Sequence, residues 1–88
     1  MKYLKPSEIE DLGFTFLRKE KVRPEIWFIK KDTNNIEHSY TLVYEFTINK
    51  VTIKHSFNQS VDYYTLFEGT IKTKSELKTI MEMVKKKY

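Results

Sequence analysis

The run from Tyr40 to Phe57 constrains this chain more than any other stretch. Tyr40, Leu42, Tyr44, Phe46 and Ile48 alternate with mostly polar neighbours, and after Asn49-Lys50 the alternation resumes at Val51, Ile53, His55 and Phe57. A period of two on both sides of a turn dipeptide specifies a β-hairpin. With Asn49-Lys50 as the turn, Ile48 faces Val51, Phe46 faces Ile53, Tyr44 faces His55 and Leu42 faces Phe57. A slip of two residues would keep the same apolar side. The opposite side reads Thr41, Val43, Glu45 and Thr47, then Lys50, Thr52, Lys54 and Ser56, which suits water or a polar partner.

The rest of the chain supplies further strands and two helices. Pro6 to Gly13 reads as a short helix, with proline in the first turn, acidic residues near the positive end of the dipole and glycine as the stop. From Phe14 the period changes to two, with Phe14 and Phe16 on one side and Thr15 and Leu17 on the other. Glu25 to Lys31 is a second strand, Trp27 and Ile29 sharing one face and Ile26 and Phe28 the other. Asp32-Thr33-Asn34-Asn35 signals a turn and Asn58 to Asp62 a polar loop. Tyr63 to Ile71 is a fifth strand, in which Gly69 marks a bulge or a close backbone approach. Thr73 to Glu76 has the form of a capping box, followed by an apolar helical stripe at Leu77, Ile80, Met81 and Val84. The expected fold is α+β. One domain, 1–88, holds an antiparallel sheet of about five strands, with the short N-terminal helix and the amphipathic C-terminal helix packed on one face.

Composition narrows the function classes. Eighty-eight residues with six Phe, six Tyr and one Trp suffice for one core built from large rings, without a second core or a deep cleft. The absence of cysteine excludes disulfides, thiolate chemistry and cysteine-based zinc sites. No apolar run reaches the length of a membrane span, so no membrane association is expected and the location read is the cytoplasm. The formal charge of +4, with eight basic against five acidic residues after Tyr44, permits contact with nucleic acid or an acidic protein surface.

No catalytic site, cofactor or metal is expected. His38 and His55 sit on opposite arms of the hairpin without facing each other in either register. The only glycines, Gly13 and Gly69, have backbone roles, and no phosphate loop or nucleophile elbow is present. Two binding surfaces remain in view. Lys30, Lys31, Lys50 and Lys54, with Tyr63 and Tyr64 as stacking rings, are the candidate partner contacts for RNA or single-stranded nucleic acid. A sheet covered on one side also leaves a mixed face, with Val43 and Trp27 or Tyr64, that suits a protein partner or a second copy of the chain. The first strand, ending Arg18-Lys19-Glu20-Lys21, is a candidate edge for strand addition.

The stretches from Ser7 to Phe14 and from Leu66 to Leu77 resemble small proteins carried by phages and mobile elements of the Bacteroidota type. What that resemblance implies is a class of role, host takeover or anti-defence, of which anti-CRISPR proteins are the best-known example. The expected partner is then a host protein, a nuclease effector complex or its guide RNA, met in the host cytoplasm. The alternative is a small basic RNA-binding protein.

Overall fold

The computed structural model describes residues 4–31, 38–57 and 63–85, the side chains of Phe57, Tyr63 and Lys85 apart. The elements are α1 (Pro6–Asp11), β1 (Thr15–Lys19), β2 (Glu25–Lys31), β3 (His38–Glu45), β4 (Lys50–Phe57), β5 (Tyr63–Thr70) and α2 (Lys74–Lys85). The expected turn at 32–35, the loop at 58–62 and the lysine tail at 86–87 fall outside the described residues. The five strands form one antiparallel sheet in the order β1-β2-β3-β4-β5, a meander in which every strand pairs with its neighbours in sequence.

Both helices start where local chemistry favours them. The backbone N–H of Lys5 donates to Glu8 Oε1 at 3.0 Å, Pro6 occupies the first turn, and Gly13 follows the C-cap at φ 95°, a conformation that costs glycine little. At α2 the Thr73 hydroxyl accepts the N–H of Glu76 at 3.1 Å, while the Glu76 carboxylate reaches the N–H of Lys72 rather than that of Thr73. Leu77, Met81 and Val84 bury the helical stripe against the sheet and Ile80 flanks it. They join Ile9, Phe14, Phe28, Tyr40, Leu42, Tyr44, Val51, Ile53 and Ile71 in one core, so both helices lie over the aromatic side of the hairpin.

The hairpin keeps its expected face and changes its register. Tyr44 pairs with Val51, Leu42 with Ile53, Tyr40 with His55 and His38 with Phe57. Phe46 to Asn49 form a four-residue loop, and Lys50, expected in the turn, opens β4 opposite Glu45. One backbone conformation and two hydrogen bonds select the longer loop. Asn49 takes the left-handed region at φ 52°, which asparagine tolerates, and its buried Oδ1 accepts the Tyr44 hydroxyl at 3.0 Å. The N–H of Phe46 donates to the Pro24 carbonyl at 3.1 Å, which continues the ladder toward β2 rather than toward β4. Phe46 and Ile48 are consequently exposed instead of buried.

Two irregularities re-aim side chains. The β1–β2 register shifts between Phe16 and Arg18, so Phe16 stays over Phe28, ring centroids 6.2 Å apart, while Arg18 pairs with Trp27. In β5 the shift falls opposite Ile53 and Lys54, between Phe67 and Thr65. Gly69 is therefore the close approach and not the bulge: a Cβ there would meet the Phe67 ring at 3.2 Å.

Candidate binding face of the sheet

On the face away from the helices, the pairing lays residues out in rows across the strands. One row is Arg18, Trp27, Val43, Thr52 and Glu68; the next is Ile29, Thr41, Lys54 and Thr65. Beyond them lie Glu25, Glu45, Lys50 and Thr70 at one end, and positions 31, 39, 56 and 63 at the other. No described helix covers this face, yet Val43 and Thr41 are only 5% and 4% exposed. Long side chains folded across the sheet account for that.

Trp27 is the centre of those side chains. The Arg18 guanidinium sits 4.5 Å from its ring centroid and Lys54 Nζ 5.8 Å away, two cations on one indole. Its Nε1 is buried and has no hydrogen-bond partner among the described residues. Such an unmet donor costs about 1–3 kcal/mol.

Two pairs of charges on the face are matched in place. Arg18 Nε meets Glu20 Oε1 at 2.7 Å, and Lys50 Nζ meets Glu68 Oε1 at 2.6 Å. The hydrogen bond and then the charge of Glu68 raise the Lys50 ammonium above its ordinary range, and Lys50 in turn lowers the Glu68 carboxyl. With those two pairs set aside, Glu25 and Glu45 remain at one end, and Lys31 and Lys54 toward the other.

The six expected contacts do not form one surface. Lys31, Lys50 and Lys54 lie on the uncovered face. Lys30 falls beside Tyr40 on the helix face, where its ammonium donates to the Leu12 carbonyl at 2.7 Å and lies 5.8 Å from the Phe14 ring centroid. It caps the end of α1 from below. Tyr64 pairs with His55, again on the helix side, and is 60% exposed at the sheet's second edge. Tyr63 pairs with Ser56, and its side chain lies outside the described residues. Arg18 was not among the expected contacts, because without the bulge it would point to the core side.

The two histidines meet. They are not directly opposite, but the observed register makes them diagonal neighbours on the core face, with His38 Nδ1 and His55 Nε2 2.7 Å apart in a hydrogen bond. One ring donates and the other accepts, so at least one nitrogen of the pair is unprotonated. Burial, and then the charge of His38, lower the His55 imidazole below its ordinary range. No cluster of three or more His, Asp or Glu side chains able to hold a metal occurs among the described residues. Two surface hollows, of about 310 and 350 Å³, border Leu12, Lys30 and Met81 in one case and Leu4, Ile26 and Phe46 in the other; neither includes the histidine pair.

Fold and face together define a small α+β domain, a five-stranded meander with both helices on one side and a mixed-charge, tryptophan-centred surface on the other. No known protein family, curated protein or solved structure matches the chain.

Proposed function

We propose that this chain is a non-catalytic binding protein whose working surface is the uncovered sheet face, and that its partner is a host protein of the defence-nuclease class, in the manner of an anti-CRISPR inhibitor. The observation that carries the choice of surface is Trp27. It is a large ring on the second strand of an uncovered face, with two cations against it and an indole N–H that a modest swing would offer to an acceptor on a partner. Buried tryptophan and arginine are the residue types that dominate interface energetics. The nuclease class comes from the resemblance at the chain's two ends, with size and charge agreeing.

The alternative, an RNA or single-strand binder, draws on the same indole as a stacking platform. The salt bridges to Glu20 and Glu68 count against it, since they occupy cations that a phosphate backbone would need.

The test is a cleavage reaction with a purified RNA-guided nuclease loaded with its guide, titrated with the chain. The expected result is suppression of cleavage, weakened at least about tenfold by Trp27→Ala, as for loss of an aromatic anchor. Undiminished cleavage at saturating chain, or a Trp27→Ala variant as potent as the parent, overturns the proposal. Anisotropy of a labelled RNA between about 50 and 200 mM salt separates the alternative, which requires tight binding with a steep salt slope.

A further inference from the structure

The uncovered face is complementary to itself. Glu25 and Glu45 lie at one end beside Lys50, which Glu68 pairs; Lys31 lies at the other end, and the Trp27 and Ile29 rows, the latter carrying Lys54, lie between. A two-fold axis parallel to the rows and midway between Trp27 and Ile29 turns the strands end for end. Laid on a second copy in this way, Glu25 meets Lys31 of the second copy and Trp27 covers its Ile29. Glu45 then faces Ser39 of the second copy, one strand away from its Lys31, and the Trp27 and Ile29 rows are enclosed between the two sheets.

We infer that the occupant of this face in the isolated protein is a second copy of the chain, packed sheet on sheet as a two-layer sandwich with strands aligned. The inference rests on the same face as the proposed function, and the two occupants compete for it: the dimer is the resting form and the partner displaces one copy. Five strands at about 4.8 Å and seven residues of β2 at about 3.3 Å give a patch of about 24 by 20 Å, near 500 Å² per copy. Two such patches bury about 1,000 Å², the lower bound for a specific interface, so the dimer is a weak one, forming in the range of about 1–100 μM. The charged ends fix its register and give it a salt dependence.

Sedimentation velocity of the purified chain from about 1 to 500 μM is the direct measurement, a span chosen to bracket that affinity. The expected result is a shift from monomer to dimer that weakens as salt rises from about 50 to 500 mM. Glu25→Lys and Lys31→Glu, each checked by circular dichroism for an unchanged fold, are expected to stay monomeric. An equimolar mixture of the two recovers the dimer, because each now offers the charge that the other needs; the double variant recovers it as well. A parent that is monomeric throughout, a dimer indifferent to salt, or single variants that dimerise like the parent overturns the inference. The salt series needs no variant, so a folding defect in either substitution leaves a decisive measurement. A monomeric chain that still suppresses nuclease cleavage overturns the dimer alone; a dimer without effect on the nuclease overturns the proposed function alone.

Discussion

Replacing Lys30 with methionine separates a structural lysine from a contact lysine. Its ammonium donates to the Leu12 carbonyl at 2.7 Å in a partly buried setting, at the end of α1. Methionine keeps most of the aliphatic stem near Phe14 and removes only the charged donor. A hydrogen bond from a charged group contributes about 1.5–3 kcal/mol, and partial solvent access argues for the lower end, about 1.5 kcal/mol. In a domain of this size that corresponds to a fall of about 6–12 °C in Tm. Thermal melts followed by circular dichroism give the readout, with Lys31→Met as the comparison. Lys31 is exposed on the other face, so its replacement is expected to change stability by less than about 0.5 kcal/mol. A Lys30→Met variant melting within about 2 °C of the parent while losing dimerisation or nuclease inhibition would refute the assignment of Lys30 to the helix side.

Three further outcomes follow from the same architecture. Gly13→Ala is expected to cost about 1–2 kcal/mol in a urea titration, because φ is 95° there and the new Cβ would crowd Lys30 Cε at 3.2 Å. Leu77→Ala removes a fully buried side chain beneath α2 and should cost about 2–5 kcal/mol, enough to leave a marginal domain partly unfolded by circular dichroism at 37 °C. The lowered imidazole of His55 means that the unfolded chain binds more protons, so stability is held above about pH 6.5 and falls as pH drops below it, by at most about 1.4 kcal/mol per pH unit. Urea midpoints at about pH 7.5 and 5.5 should differ more for the parent than for His55→Gln, and equal differences would contradict that origin.

The fold was largely legible because its determinants are local. The alternation across Tyr40 to Phe57 fixes which side is buried whatever the register, and the Leu77-Ile80-Met81-Val84 stripe needs only a helix to make sense. Register was not legible: it depends on Asn49 meeting the Tyr44 hydroxyl and on Phe46 turning its N–H to Pro24, contacts between groups that the sequence does not mark as partners. The contact of the two histidines follows from that register alone.

The candidate face was legible in part. Lys50 and Lys54 follow from strand parity, and the same parity places Lys30 with Ile26 and Phe28, a signal masked by its doublet with Lys31. Arg18 could not be found this way. A single extra residue in β1 reverses the sidedness of everything after it, and nothing in Phe16-Leu17-Arg18 announces the insertion. The Trp27 stack is the product of that reversal.

The meander also dictates the order in which the chain can assemble. Each strand lies beside the one made just before it, so the sheet can zip hairpin by hairpin during synthesis, and little loop-closure entropy opposes any step. α2 is the exception: it meets α1, and Lys74 Nζ reaches Asp11 Oδ2 at 3.3 Å across 63 residues of chain. Until α2 leaves the ribosome, the rings of Phe28, Tyr40 and Tyr44 stand without much of their cover on a sheet that is otherwise complete. A nascent chain paused after β5 is therefore the species that a chaperone would hold, or that would aggregate in its absence.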